Sequence, residues 1–230
     1  MDNATHLYTR SFETGLSDKY VTVRNLLPPG ASVLELGCAD GYFSAALMRE
    51  GFDVVGLESQ PAFAATARSR GVDVRTVDLN EPGTLASLGR QFDAVLAMDV
   101  LEHLLDPESA VKALATVIKP GGRLIITGPN VAYWSMRWML LTGRWTYSDA
   151  GIMDRTHLRW FTLSDWIKLA ESGGLRRIVA GSAEVGMFPL QHLLQRLPGG
   201  KSLVKFCAAA LTRRLPSVFA IVLLVVAVKT

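Results

Sequence analysis

The chain has 230 residues, 49% of them apolar and 20% charged, with a formal net charge of +3. That length permits one full hydrophobic core, the balance excludes disordered and fibrous classes, and the lack of a dense basic run argues against a nucleic-acid partner. The only cysteines, Cys38 and Cys207, match no metal-ligand spacing, and no basic stretch leads into an apolar run near the start, so a reducing, cytoplasmic setting is expected.

The charge is unevenly divided. Residues 1–128 hold 11 Lys and Arg against 16 Asp and Glu, and residues 129–230 hold 13 against 5. An acidic first part suits a cationic ligand; a basic second part suits an anionic substrate or membrane surface, unless the charges only solvate helix faces.

In chain order, a helical lead-in over 1–29 is followed by Val33-Leu34-Glu35-Leu36-Gly37-Cys38-Ala39-Asp40-Gly41-Tyr42-Phe43. This reads as a buried strand, an acidic residue near its end, and a small-residue loop opening a helix over roughly 41–50. Such a turn brings backbone close to a bound nucleotide. A dinucleotide-binding turn needs three glycines and welcomes a pyrophosphate, whereas here Ala39 and Tyr42 occupy two of the glycine positions and the carboxylates of Glu35 and Asp40 repel an anion. The spacing Glu35-x-Gly37-x-Ala39-x-Gly41 resembles motif I of class I S-adenosylmethionine-dependent methyltransferases, with Ala39 in place of the usual glycine; a plain βα turn is the alternative reading.

Residues 53–58 predict a second strand ending at Glu58, 61–69 a helix, 72–79 a third strand carrying Asp78, and 92–103 a fourth, whose end presents Asp99, Glu102 and His103. Strands alternating with helices imply a parallel sheet, in which ligands bind at the strands' C-terminal ends. Glu58 lies where a carboxylate accepts from ribose hydroxyls. Asp106 and Pro107 start a helix that runs to about 118, Lys119-Pro120-Gly121-Gly122 forces a turn, and Arg123–Thr127 forms the fifth strand. The segments Asp99–His103 and Lys119–Leu124 are similar to later motifs of the same family, so the resemblance covers about residues 30–130, the cofactor-binding core. It implies a Rossmann-like α/β fold with a seven-stranded, mostly parallel sheet in a three-layer α/β/α arrangement, its last strand antiparallel. It also implies S-adenosylmethionine as cofactor, with Glu35, Gly37, Cys38, Ala39 and Gly41 at the methionine end, Glu58 and Ser59 at the ribose, Asp78 and Leu79 at the adenine, and Met98 and Asp99 at the sulfonium side.

Residues 131–215 read as substrate-side insertions. The stretch 130–147 interleaves Tyr133, Trp134, Trp138, Trp145 and Tyr147 with Arg137 and Arg144, which fits an aromatic-lined lid, an interfacial membrane helix, or a helix packed on the sheet. The block Asp154–Thr162 resembles one in bacterial methyltransferases of the group that includes ubiquinone-pathway O-methyltransferases and surface-glycan enzymes; its polar density before a helix suggests a substrate-facing loop with Asp154 and Arg155, to which the lid reading of the aromatic stretch adds Tyr133 and Trp134. A helix over 163–172 and a sixth strand near 175–185 follow, then a basic, Leu-rich helical pair over 189–214, a second candidate for membrane contact. The apolar run 218–228, within a final segment 216–230, is too short to span a bilayer and reads as a buried strand.

A sulfonium-bound methyl needs an in-line nucleophile and a dry site, and a hydroxyl acceptor benefits from a base. His103 and His157 are the candidates. The acceptor is expected to be a small-molecule or lipid-linked hydroxyl, first of a sugar or glycan precursor, second of a quinone-type phenol; a non-catalytic cofactor-binding module is a further alternative. No metal is expected, although Glu102, His103 and His157 form a ligand set if the fold brings them together.

Overall fold

The computed structural model describes residues 17–81, 83–189 and 191–230, so most of the expected lead-in lies outside it. The first described helix is α1 (Asp18–Asn25). It is followed by β1 (Ser32–Leu36), α2 (Tyr42–Arg49), β2 (Asp53–Glu58), α3 (Pro61–Ser69), β3 (Asp73–Thr76), β4 (Phe92–Met98), α4 (Pro107–Val117) and β5 (Ile118–Pro129). The second half adds α5 (Trp134–Leu141), α6 (Leu163–Ser172), β6 (Arg176–Val185), α7 (Gln191–Leu194), α8 (Gly200–Arg214), α9 (Pro216–Phe219) and β7 (Ala220–Val228).

The strands form one seven-stranded sheet in the order β3-β2-β1-β4-β5-β7-β6. All pairings from β3 to β5 are parallel, and β7 inserts antiparallel between β5 and β6. Every residue of β1 is buried, and Leu223–Ala227 of β7 are buried too, because a strand covered on both faces has no polar side to show. Helices α4 and α6 press Val111, Leu114, Trp166 and Leu169 onto one face, while Val23, Tyr42, Phe43 and Leu47 from α1 and α2 cover the other.

Local chemistry sets the helix starts. The Asp106 side chain accepts the Ser109 N–H at 3.0 Å and Pro107 opens α4, while Thr162 and Asp165 form a reciprocal capping box for α6. Gly128 is fixed by packing: a Cβ there would lie 2.1 Å from Cζ2 of Trp166, whose indole N–H donates to the Pro129 carbonyl at 3.2 Å.

Three boundaries differ from expectation. The fifth strand extends to Ile118–Pro129, because Lys119–Gly122 form a bulge between the Phe92–Ile118 and Ala94–Arg123 pairs and the ladder resumes beyond it. Lys119 folds over this bulge onto Asp93 at 2.9 Å, and Ser32 donates to the same carboxylate at 2.6 Å. The third strand stops at Thr76: β3 is an edge strand, and Asp78 turns the chain by accepting the Asn80 N–H at 2.9 Å. The fourth strand ends at Met98, where Asp99 adopts φ 54° and Leu101–His103 form one turn of 3₁₀-helix.

Candidate active site

The loop between β1 and α2 turns through three left-handed residues, Gly37 (φ 58°), Ala39 (φ 47°) and Gly41 (φ 73°). Gly41 packs so closely on α3 that a Cβ would sit 2.9 Å from the Ala67 Cα, whereas Ala39 carries its Cβ in the same backbone region, at a cost of about 1–2 kcal/mol. What holds Ala39 there is Glu58: its Oε2 accepts the Ala39 N–H at 2.9 Å and its Oε1 the Gln60 N–H at 2.7 Å. The two loops at the ends of β1 and β2 are thereby tied to one carboxylate.

Beside them opens a cavity of about 600 Å³ whose walls include Gly37, Ala39, Glu58, Ser59, Asp78, Leu79, Asp99 and His103. Phe63, Val77 and Leu104 give it an apolar side, and Glu58, Asp78, Asp99, Asp149 and Asp154 supply its charge. Among the described residues no Lys or Arg lines it. Asp99 and Asp149 are paired with Lys19 and Arg155 outside the wall, and with Glu58, Asp78 and Asp154 they leave a net negative surface that repels a pyrophosphate and attracts a positively charged ligand.

Next to it, a second space of about 250 Å³ is bounded by Lys19, Tyr20, Glu35, Cys38, Met98 and Asp99. Lys19 of α1 forms an ion pair with Asp99; burial lowers its pKa, but Asp99 and other negative neighbours outweigh this and leave it raised. Glu35 is buried, accepts from the Ser44 hydroxyl, and is pushed by burial up to about 7. Cys38 is buried under Glu35 and Glu58, and burial pushes its thiol far up, so it packs rather than reacts.

A third cavity, also about 250 Å³, shares Asp99, His103 and Asp154 with the first and is closed by Glu102, Pro129, Ile152, His157, Ile221 and Val222. Here His103 and His157 meet, ring centroids 4.8 Å apart. His103 Nδ1 lies 3.1 Å from the Thr156 carbonyl and His157 Nδ1 3.1 Å from that of Ile152, so each ring can donate from Nδ1 and leave Nε2 open. Burial lowers the pKa of His157, which keeps it neutral at pH 7. Glu102 is fully buried with neither carboxylate oxygen hydrogen-bonded, and burial, reinforced by Asp99, raises its pKa well above the usual range.

The structure gathers Glu35, Gly37, Cys38, Ala39, Glu58, Ser59, Asp78, Leu79, Met98, Asp99, His103, Asp154 and His157 around these three adjoining spaces. It places Tyr133, Trp134 and Arg155 elsewhere. Tyr133 Oη and Trp134 Nε1 both donate to the Met187 carbonyl at 2.7 Å, while the largely exposed Arg155 pairs with Asp149 at 2.9 Å. Helix α5 buries no residue and exposes Trp138 and Leu141, while Trp134, Met136 and Met139 pack with Tyr133 on Ile152, Met153 and Ile221. Sequence reading missed Lys19, Phe63, Asn80 and Ile221; Lys19 reaches Asp99 across 80 positions, a contact without any local pattern.

Residues 8–179 match the family described as Methyltransferase domain. A ubiquinone biosynthesis O-methyltransferase of Aeromonas salmonicida is 26% identical over 167 residues, covering 71% of this chain and 69% of the relative. Another, from Xanthomonas axonopodis pv. citri, is 35% identical over 118 residues but covers only 49% and 48%; against this second relative the chain spans about half the length. Among solved structures, a SAM-dependent methyltransferase from Archaeoglobus fulgidus superposes with a TM-score of 0.62 at 18% identity, covering 93% of this chain and 95% of that one. One from Mesorhizobium loti gives 0.59 at 18% identity, covering 93% and 98%. At such identities the likeness is one of fold.

Proposed function

The chain belongs to the methyltransferase-domain family and is an S-adenosylmethionine-dependent methyltransferase; from that premise we propose that it methylates a hydroxyl held in the cavity between His103 and Val222. The observation that carries the donor side is the 600 Å³ cavity walled by five carboxylates and no Lys or Arg among the described residues. It fits a cationic nucleoside. Glu58, whose two oxygens each hold one backbone N–H, retains lone pairs for ribose hydroxyls. Asp78 and Leu79 border the adenine end, and Lys19 beside Asp99 and Glu35 serves a ligand end that carries both an ammonium and a carboxylate.

When bound, S-adenosylmethionine supplies a methyl group already activated by its sulfonium. The chain's own task is to orient and dry the acceptor. His103 faces both the large and the third cavity and accepts the hydroxyl proton at Nε2, with its ring held by the Thr156 carbonyl. His157, kept neutral by burial, is the neighbouring acceptor.

The apolar side of the third cavity, Pro129, Ile152, Ile221 and Val222, favours a flat aromatic ring. Together with the curated relatives' names this supports a phenolic acceptor of the lipid-linked quinone type over the sugar hydroxyl expected first from sequence. The carboxylates Asp99 and Asp154 keep a polyhydroxylated sugar as the second reading. No described helix is long and apolar enough to cross a membrane. A peripheral contact is supported by α8, which exposes Leu203 and Phe206 beside Lys201 and Lys205, within a stretch from residue 185 onward that has no acidic residue.

The test is transfer of labelled methyl from S-adenosylmethionine to a panel of polyprenylated catechols, simple phenols and nucleotide sugars. Turnover is expected with the phenols and enhanced by the polyprenyl tail; turnover with the sugars alone would replace this reading by the second.

A further inference from the structure

We infer that Asn130 is a positioning residue for methyl transfer: it holds the β5 and β7 walls of the acceptor cavity at the separation the acceptor needs. Asn130 follows β5 directly and is fully buried. Its neighbour Pro129 lines the cavity, as do Ile221 and Val222 of β7, whereas Asn130 itself does not. The role rests on that cavity holding the acceptor, and it names what sets the cavity's width.

Three features make Asn130 the joint between these walls. The first is where the β5–β7 ladder runs out. Pro129, paired with Val222, has no N–H to give and its carbonyl accepts from Trp166, so the next backbone bond to β7 runs from the Asn130 N–H to the Ile221 carbonyl at 3.2 Å. The second is the side chain. Its Nδ2 donates to the Ala220 carbonyl at 2.9 Å and the Ser217 carbonyl at 3.2 Å, with that of Pro216 at 3.4 Å, while its Oδ1 accepts the Ala132 N–H at 3.0 Å. Helix α9 has only four residues, too few to satisfy its own carbonyls, and the Asn130 amide closes it against the end of β5. The third is what hangs from the joint. The Asn130 carbonyl accepts the Tyr133 N–H at 3.1 Å, and Tyr133 packs with Ile152 and Ile221, both in the cavity wall.

One side chain thereby fixes the end of β5, the start of β7 and the approach to α5. Its partners Ala132, Tyr133, Pro216, Ser217, Ala220 and Ile221 border neither of the two donor cavities, so its effect is confined to the acceptor side. Only an amide meets both demands, donating toward the carbonyls at one end and accepting from Ala132 at the other. An aspartate keeps the shape and turns an oxygen toward the Ala220 and Ser217 carbonyls, which drives β7 and α9 away from β5. A wall displaced by about 1 Å misaligns hydroxyl and methyl, enough for a loss on the order of 100-fold.

The test is methyl transfer to a polyprenylated catechol, or to a nucleotide sugar if sugars alone turn over, by folded Asn130→Asp and Ile152→Ala chains. Asn130→Asp is expected to lower kcat/KM for the acceptor roughly 10- to 100-fold while the Kd for S-adenosylhomocysteine stays unchanged. An Asn130 that only stabilises the fold lowers Tm and leaves kcat/KM of the folded chain alone, and that result overturns the role. If Ile152→Ala changes kcat/KM and Asn130→Asp does not, the cavity holds the acceptor and Asn130 does not position it. If neither variant changes it, the cavity is not the acceptor's and both readings fall. Should Asn130→Asp fail to fold, Asn130→Ser, which leaves room for a water among the same carbonyls, takes its place. Hydrogen exchange of the unaltered chain reads the same joint: binding of the same acceptor beside S-adenosylhomocysteine braces the two walls and is expected to slow exchange of the Asn130 and Ala132 amides, and unchanged rates overturn the role.

Discussion

Glu58→Ala separates a carboxylate that serves the cofactor from one that only braces a loop. The Glu58 side chain accepts the Ala39 N–H at 2.9 Å and the Gln60 N–H at 2.7 Å, and the residue is 7% exposed. Each is a hydrogen bond to a charged acceptor, worth about 1.5–3 kcal/mol. Water admitted from the cavity re-satisfies both N–H groups in the variant, so folding stability falls by about 1–3 kcal/mol, a drop of roughly 2–4 °C in Tm per kcal/mol for a chain of this size. Binding falls separately. The ribose loses its acceptor and the Ala39 turn loses the tether that holds its left-handed backbone, together about 1–3 kcal/mol, or roughly 5- to 150-fold in Kd for S-adenosylhomocysteine. Calorimetry at a temperature well below the variant's Tm reads the second effect free of the first. A folded Glu58→Ala chain with unchanged Kd refutes the placement of the nucleoside against β2.

Lys19→Met is expected to weaken S-adenosylhomocysteine binding about tenfold while leaving 5′-methylthioadenosine, which lacks the amino-acid end, unaffected; equal losses for both ligands would show that Lys19 merely closes α1 over Asp99. Gly128→Ala drives a methyl to 2.1 Å from the Trp166 ring, which is 1% exposed and has no room to yield, so overpacking costs about 1–3 kcal/mol or more and Tm falls by several degrees. An unchanged Tm would mean that α6 moves freely on the sheet. Glu35, pushed up to about 7 from an ordinary 4.5, holds its proton more tightly folded than unfolded. Its contribution to stability is therefore full below pH 4.5, is lost as pH rises to about 7, and amounts to roughly 3 kcal/mol across that window. Urea unfolding at pH 5 and pH 8 should show Glu35→Gln gaining on the parent chain by that order; parallel pH profiles would contradict it.

Much of the fold is legible because its signals are local. The run from Asp53 to Glu58 and the helix from Pro61 to Ser69 fall where the apolar pattern and Pro61 place them, and β7 follows from a β-branched run too short for a membrane. The errors arise where a partner strand decides. Nothing within Lys119–Gly122 says that β4 pairs on both sides of it, and the turn it does encode becomes a bulge because Ile118 finds Phe92. The edge position of β3 likewise shortens a run whose composition alone supports a longer strand.

The same distinction explains why the site reads unevenly. The donor cavity is assembled from the loops after β1, β2, β3 and β4, and a parallel sheet lines up successive strand ends whatever the sequence between them. Acids spaced along residues 35–99 therefore converge by topology alone. The acceptor cavity has no such rule: Glu102 and His103 come from the turn after β4, His157 from a loop tied to Glu102 by two backbone bonds, and Ile221 and Val222 from a strand inserted against the chain direction. Only the closed fold reveals that these segments meet. It follows that exchanges at Ile152, Ile221 and Val222 alter the shape offered to the acceptor without touching Glu58, Asp78 or the Ala39 turn, so acceptor choice can change while the methyl donor stays fixed.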